Sequence, residues 1–287
     1  MHSNGPGRRS LEIASTAQHA GVDGKRGAIV AIGGLLTVKQ VVGLYRPLLE
    51  RDTTSKLPAS ARFVPPPHRG LGNIDRIRTE TNDKLCWLYD NLGQEPMHVF
   101  GHSLGALLAV MATLDNPEII ASANLLAGAH DGIRKKTTAY WALRLALGNP
   151  AEANLLEHDS NFMTEQRERI ATEWQPRIPM HIISTATDRL IVPPQGFGIE
   201  LPGQQARNTL LLPHVPGMKR MAHYLLDKMP TDTEYVNTTY ITEHTNIPRN
   251  PFVLQCADVL LQNELQPPLV SVPAVTSLIF PSAAEAM

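Results

Sequence analysis

The sequence predicts an α/β fold in which a mainly parallel β-sheet carries helices on both faces, and three observations support this. Short apolar runs, typical of buried parallel strands, alternate with segments whose apolar residues recur at helical spacing. One of these runs leads into a Gly-x-Ser-x-Gly sequence at 101–105, and a helical pattern follows it. The chain of 287 residues is 43% hydrophobic and 18% charged, which supplies a sizeable core and is too little charge for a disordered chain.

The first part of the chain predicts three strands, each followed by a helical pattern. The run AIVAI at 28–32 is an apolar strand that ends at Gly33 and Gly34, and three prolines stop the second strand. The third strand runs directly into the Gly-x-Ser-x-Gly sequence. In chain order the predicted elements are a strand at 28–32, a helix at 38–49, a strand at 62–66, a helix at 74–92, a strand at 97–100 and a helix at 107–114.

The second part of the chain continues the alternation after an interruption. Residues 133–179 separate two predicted strands, and we interpret them as a helical cap insertion over the carboxyl edge of the sheet, with a charged helical run at 164–175. The strand at 236–242 is predicted from its alternating pattern. The predicted elements of this part are strands at 119–126, 180–185, 209–212 and 236–242 and helices at 218–229 and 250–265.

The domain prediction is a single domain with two flanking segments. Residues 27–265 form the α/β domain, residues 1–26 are a flexible N-terminal segment, and 266–287 are a tail in which four prolines prevent a regular helix. The first segment has Arg8 and Arg9 but no apolar stretch after them, so we expect no secretory signal and a cytoplasmic location. We expect Cys86 and Cys256 to be free, buried thiols.

Charge and hydropathy exclude two classes of partner at this level. The formal net charge is −1, whereas nucleic-acid-binding proteins usually carry a basic surplus, so we expect no nucleic-acid partner. No run of about 20 apolar residues occurs, so we expect no transmembrane helix. The sequence does not predict an oligomeric state.

The sequence Gly101-His102-Ser103-Leu104-Gly105 predicts a nucleophile elbow, the tight strand-to-helix turn that exposes a reactive serine. The backbone at such a turn is strained, and the strand and the helix approach each other closely. Glycine two residues before and two residues after Ser103 removes the Cβ atoms that would collide. The preceding apolar run and the following helical pattern supply the expected context.

An activated serine needs a base, and the base needs an acid that orients it. When the acid and then the histidine follow the serine in the chain, the acid is expected just after a strand, where Asp188 lies, with Asp131 as the second candidate. His244 lies on a predicted loop between the last strand and the last helix. His223, within a predicted helix, and His214 stay open as alternative bases.

The oxyanion of an acyl-transfer intermediate needs two backbone N–H donors. One is predicted at Leu104, the residue after the nucleophile. The other is expected on the loop after the first strand, where we favour Leu35 over Gly34.

These segments resemble the α/β-hydrolase family, and more narrowly its lipase and esterase branch, over about residues 28–265. The stretch from Arg69 to Asp75 is similar to a glycine-Asn-Asp stretch of bacterial lipase-like members. The resemblance implies hydrolysis of small-molecule or lipid esters through an acyl-enzyme on Ser103, without a metal or an organic cofactor. It leaves open an acyltransferase or thioesterase with the same residues, and a non-catalytic binding protein of the same fold.

Two features differ from the family pattern. Most lipases have His-Gly or Pro-Gly before the oxyanion residue, where this chain has Gly33-Gly34. The interval from Asp188 to His244 is longer than usual and requires an insertion at about 213–233, which keeps His223 open as the base. Five apolar side chains of the predicted cap are candidates to line an acyl pocket: Tyr140, Trp141, Leu143, Leu147 and Phe162.

Overall fold

Seven strands form one sheet in the computed structural model, which describes residues 27–35, 37, 39–133, 141, 144, 154–188, 206–213, 233–238 and 243–262. The strand order is β2-β1-β3-β4-β5-β6-β7, and every neighbouring pair is parallel. The strands are β1 Ala28–Ile32, β2 Phe63–Val64, β3 Met97–His102, β4 Ile120–Leu126, β5 Met180–Thr185, β6 Ala206–Pro213 and β7 Glu234–Thr238. The described ranges confirm the parallel α/β fold.

Helices cover both faces of the sheet. The α-helices of the described ranges are α1 Val42–Leu49, α2 Ile74–Asn91, α3 Leu104–Asp115, α4 Asn161–Glu173 and α5 Pro251–Gln262. Because strand side chains alternate between faces, Val30 and Ile32 pack in one apolar cluster with α2, α3 and α4, whereas Ile29 and Ala31 pack in a second cluster with α1 and α5. The two clusters are the core of the domain.

The strand order brings two loops together at the carboxyl edge of the sheet. Strand β1 lies between β2 and β3, and Ile32 is level with Gly101 across the β1–β3 pair. From β1 the chain crosses to β2 on one side, and from β3 it crosses to β4 on the other side. This change of direction leaves a crevice at the carboxyl edge, which is where ligands bind in open parallel sheets. The loop after β1 therefore lies beside the turn at Ser103.

Side chains define where the helices begin. The Asn73 side chain accepts a hydrogen bond from the Arg76 backbone N–H at 3.0 Å and caps α2, and Ser160 caps α4 in the same way through Met163 at 3.1 Å. Before α5, the fully buried Asn250 accepts from the Phe252 N–H at 2.8 Å. The last cap fixes the helix that directly follows the predicted base loop.

Helix α4 lies inside the predicted cap insertion and packs on the core. It buries Met163 and Ile170 in the cluster that contains α3, and its Arg169 bonds to Asp115 at the end of α3 at 3.2 Å. This part of 133–179 is therefore a crossover between β4 and β5 on one face of the sheet. Trp141, in the other part of the insertion, is about half exposed (53%) and lies 5.7 Å from the Arg144 guanidinium.

Several predictions lie outside the described residues. These are the segments 1–26 and 266–287, the helix at 218–229 and most of the cap before residue 154. The domain boundaries therefore stay predictions. Of the two cysteines, Cys256 is buried and Cys86 is only half-buried, so Cys86 differs from the expectation. Among the described helices, none has the length and apolar character needed to cross a membrane.

Candidate active site

Ser103 lies at the junction of β3 and α3 in a strained conformation. Its backbone has φ 56° and ψ −121°, a region that residues with a Cβ atom rarely adopt. The turn is held at both ends: the Ser103 N–H donates to the Leu126 carbonyl at 3.0 Å, and the Ser103 carbonyl accepts from Ala106 and Ala129 at 3.0 and 3.1 Å. The side chain is half-buried. This is the geometry that the motif predicts for a nucleophile elbow.

The two glycines of the motif are required by contact. A Cβ atom on Gly101 would meet the Gly105 carbonyl oxygen and would lie 2.7 Å from the Cα atom of Ala106. A Cβ atom on Gly105 would meet the Ile32 carbonyl oxygen and would lie 2.5 Å from that of Gly33. The first contact is between the strand and its own helix, and the second is between that helix and β1. Both spacings follow from the close approach that the sharp turn imposes.

Asp188 and His244 are hydrogen bonded although 56 residues separate them. The His244 Nδ1 atom lies 2.8 Å from the Asp188 Oδ2 atom, and both side chains are buried. Asp188 ends a turn after β5 in which its N–H donates to the Thr185 carbonyl at 3.1 Å. An ionised carboxylate only accepts, so the proton is on Nδ1 and the basic lone pair of the ring is on Nε2. An imidazole in this tautomer can act as a general base.

His102, directly before Ser103, connects the elbow to the His244 loop. Its Nε2 atom lies 2.7 Å from the His244 carbonyl oxygen, and the two rings are 4.9 Å apart. On its other side, the Nδ1 atom is 2.8 Å from the hydroxyl of Tyr45, which comes from α1. The structure thus brings His244 next to the residue that precedes the candidate nucleophile.

Burial sets the charge states of His102 and Tyr45. Loss of hydration and, to a smaller extent, the nearby His244 together lower the pKa of His102 to about 3, while the hydrogen bond to the His244 backbone opposes the shift. Burial raises the pKa of the Tyr45 hydroxyl to about 12, while hydrogen bonding from the Gly34 backbone and the Thr37 side chain opposes the rise. Both groups are therefore neutral at ordinary pH, and they are linked to each other by hydrogen bonding rather than by charge.

The candidate oxyanion loop lies against the elbow. A Cβ atom on Gly34 would be 2.8 Å from the Ser103 Cβ atom and 3.3 Å from its Oγ atom. Leu104 is the first residue of α3, so its N–H has no acceptor within the helix. The side chains of Leu35 and Leu104 converge on Gly70, where a Cβ atom would lie 3.2 and 2.7 Å from them. The two predicted donors are therefore on segments that pack together.

The remaining candidates have other surroundings. Asp131 lies 3.2 Å from His158 and 3.4 Å from Arg167, so its contacts are with residues of the segment 133–179. His214 and His223 lie outside the described residues. Within the described ranges, no cluster of three or more His, Cys, Asp or Glu side chains is arranged to hold a metal ion.

Three residues of this region have contacts that the sequence analysis did not identify. Tyr45 lies on the apolar face of a predicted helix, so its hydroxyl group is the only feature of the sequence that indicates a hydrogen bond. His102 occupies a variable position of the motif, where spacing carries no information. Gly70 has φ 76° and follows two residues, His68 and Arg69, that also have positive φ. Such a run of left-handed residues is not visible in a sequence that contains a single glycine there.

Comparison with known proteins finds a matching family model and many solved structures with a similar fold. The model of a family described as having the alpha/beta hydrolase fold matches residues 56–193, which include β3, the elbow and Asp188. No curated protein matches the sequence. The topology and the family match agree on the fold.

Many solved structures are similar at low identity. A Paleococcus ferrophilus monoacylglycerol lipase is 16% identical, with a TM-score of 0.44 over 82% of this chain and 95% of its own. A serine hydrolase from Cycloclasticus zankles is 12% identical, with a TM-score of 0.42 over 82% and 89%. An alpha/beta hydrolase from the metagenome of lagoon sediments at Mar Chica, Morocco, is 14% identical, with a TM-score of 0.42 over 81% and 89%.

Proposed function

We propose that this chain, which has the α/β-hydrolase fold, is a serine hydrolase that cleaves carboxylic esters of small molecules or lipids. The observation that carries the proposal is the 2.8 Å hydrogen bond from His244 to Asp188. The His244 backbone contacts His102, which directly precedes a serine at a positive-φ strand-to-helix turn. An acid, a correctly protonated imidazole and a strained serine form the set that acyl transfer requires. A tight turn without a catalytic role needs neither the acid nor the protonated imidazole.

In the proposed mechanism, the Ser103 Oγ atom attacks the ester carbonyl carbon while His244 Nε2 takes the hydroxyl proton. The N–H groups of Leu35 and Leu104 bind the oxyanion of the tetrahedral intermediate. The intermediate collapses, the C–O bond to the alcohol breaks, and the alcohol leaves with the proton from His244. Water then attacks the acyl-enzyme with His244 again as base, and the carboxylic acid and the free serine are released. Asp188 holds the tautomer and stabilises the charged imidazole throughout.

Labelling with a fluorophosphonate probe tests the proposal, with mass spectrometry to locate the adduct. We expect wild type to be labelled on Ser103 and Ser103→Ala to take no label. His244→Ala and Asp188→Asn should reduce the labelling rate about 10³- to 10⁴-fold, because the serine loses its base or the base loses its tautomer.

Two further variants serve as matched controls for the acid and the base. Asp131→Asn and His223→Ala remove the alternative acid and the alternative base, and we expect both to be labelled at nearly the wild-type rate. A folded wild type that takes no label would contradict an activated nucleophile. Loss of labelling in Asp131→Asn or His223→Ala instead would assign the role to that residue.

An ester series then tests the reaction class. We expect wild type to release the carboxylic acid from nitrophenyl esters, with Ser103→Ala inactive, since the water that resolves the acyl-enzyme needs only the same base. Including a short alcohol in the assay separates hydrolysis from acyl transfer. If the new ester forms in place of the acid, the chain is an acyltransferase rather than a hydrolase.

A further inference from the structure

Two side chains outside the proposed triad connect helix α1 to the loop that carries the proposed base. Tyr45 on α1 is hydrogen bonded to His102 at the end of β3, and His102 contacts the His244 loop through the His244 carbonyl oxygen. Because His102 directly precedes Ser103, the same chain of contacts also reaches the candidate nucleophile. We call this pair the Tyr45–His102 link.

The direction of each hydrogen bond in the link is fixed by chemistry. A carbonyl oxygen only accepts, so His102 donates from Nε2–H to His244 over 2.7 Å. A neutral imidazole carries one proton, so the Nδ1 atom of His102 is an acceptor. The Tyr45 hydroxyl therefore donates to it over 2.8 Å. The tyrosine selects the one tautomer of His102 that can hold the base loop.

Both side chains of the link are almost completely buried. Tyr45 is 2% exposed and His102 is 6% exposed. The Tyr45 ring stacks on Phe63 at 4.7 Å, which fixes the hydroxyl in place. In such a site a hydrogen bond is electrostatically stronger than in water, and an unmade bond is costly. Because burial holds His102 neutral, the residue does not compete with His244 for a proton.

We propose that the Tyr45–His102 link is a positioning device that holds the His244 backbone in register with Ser103. The inference rests on the proposed function and names the residues that align its base. Asp188 fixes the ring of His244 from one side, and His102 fixes its main chain from the other. Because a misplacement of about 1 Å can reduce a rate about 100-fold, the link should act on turnover more than on substrate binding.

A matched pair of substitutions at position 102 tests the link. His102→Gln places an amide N–H at the same number of bonds from the backbone as Nε2, so it retains the donor to His244. His102→Asn reaches only as far as Nδ1, so it retains an acceptor for Tyr45 and loses that donor. We expect His102→Asn to lower kcat about 10- to 100-fold with KM changed less than 3-fold, and His102→Gln to stay within about 3-fold of wild type.

Tyr45→Phe tests the other half of the link while keeping the stacked ring. We expect kcat to fall about 3- to 10-fold, because His102 is no longer held in one tautomer. Combined with His102→Asn it should cost little more than His102→Asn alone, since both changes break one chain of hydrogen bonds. Rates are divided by the concentration of sites titrated with the fluorophosphonate, so that a loss of folded protein does not count as a loss of turnover.

The comparison of kcat with KM separates positioning from packing. A misplaced His244 lowers kcat and leaves KM nearly unchanged, whereas a disordered site raises KM as well. The folding control is His181→Gln on β5, which replaces a half-buried histidine bonded to Thr209 of β6 at 2.9 Å and should leave kcat per titrated site and KM unchanged.

Three outcomes would overturn the inference. Equal loss of kcat in the Gln and Asn variants would mean that residue 102 does not act through the donor to His244. A fully active His102→Asn would mean that no positioning is needed. An inactive wild type, without label on Ser103, would instead refute the proposed function on which the inference rests.

Discussion

At the scale of single residues, a neighbouring side chain requires glycine at position 34, whereas the backbone conformation of its own turn does not. Its backbone does not lie in the left-handed region, so an alanine could adopt the same conformation. The constraint is the approach of Ser103, whose Cβ atom would be 2.8 Å from an added methyl group. The sequence predicted this glycine pair as a loop after a strand, but the contact depends on the β1–β3 register. The local sequence therefore predicts a turn at this position but does not show why the residue must be glycine.

Gly34→Ala should impair the reaction while leaving the fold intact. The methyl group must displace either Ser103 or the loop that carries Leu35, and either shift moves the nucleophile relative to the oxyanion donors. We expect the rate of fluorophosphonate labelling to fall about 100-fold or more.

Gly43→Ala, on α1, is the matched control for this change. A Cβ atom there meets nothing within 4 Å, and alanine in a helix is favoured over glycine by about 0.5–1 kcal/mol. Labelling of Gly43→Ala should equal that of wild type. A Gly34→Ala variant with wild-type labelling would show that the loop yields without affecting the site.

At the scale of secondary-structure elements, one arginine joins α1, β1 and β2. Arg62 donates to the Ile29 and Leu49 carbonyls at 3.0 and 2.9 Å and to the Asp52 carboxylate at 3.0 Å. Asp52 in turn accepts from the Ile29 N–H at 3.2 Å. Both charged side chains are almost completely buried. The pair fixes the end of α1 and, with it, the helix that carries Tyr45.

Arg62→Met should destabilise the protein by about 3–5 kcal/mol, because it leaves the Asp52 carboxylate buried without its charged partner. The measurement is the free energy of unfolding in urea. Arg76→Met is the control: Arg76 pairs with Glu80 on the surface of α2 at 2.7 Å, and an exposed pair of this kind contributes little to stability. Equal losses in the two variants would contradict the importance of burial here.

Elements were easier to predict than the links between them. The run at 180–185 and the helix from 74 differ little from β5 and α2, because a buried strand and an amphipathic helix each leave a repeating apolar pattern. Ser103, Asp188 and His244 were chosen from their places after strands, and the structure brings the last two into contact. The hydrogen bond of Tyr45 could not be predicted from the sequence, since its partner His102 lies 57 residues away and accepts through a ring nitrogen.

At the scale of the whole molecule, loss of hydration keeps four histidines neutral: His102 and His130 are buried, and His98 and His181 are half-buried. Burial lowers the pKa of His98 and His130 to about 4 and that of His102 and His181 to about 3, from an ordinary value of 6.5. His130, at the end of the β4 segment, is fully buried, and neither ring nitrogen has a hydrogen-bond partner among the described residues. Each of these rings must lose its proton before the chain can fold around it.

The sign of the pH dependence follows from these shifts. Between pH 6.5 and about 4 the unfolded chain binds protons on these histidines and the folded chain does not, so the free energy of unfolding falls as the pH falls. The stability is fully present above pH 6.5 and is lost on acidification. Each histidine contributes a slope of up to about 1.4 kcal/mol per pH unit in that window.

His130→Leu isolates one histidine in this balance. Since the ring makes no hydrogen bond among the described residues, an apolar side chain of similar size should leave the free energy of unfolding at pH 7 equal or higher. Urea unfolding at pH 5, 6 and 7 should then give a slope against pH that is lower by up to about 1.4 kcal/mol per unit. The exposed Gly43 supplies the control, because Gly43→Ala changes no titratable group and the added methyl group meets nothing within 4 Å. An unchanged slope in His130→Leu would mean that residue 130 is protonated, or accessible to water, in the folded protein, and the acid sensitivity would then belong to the other three histidines.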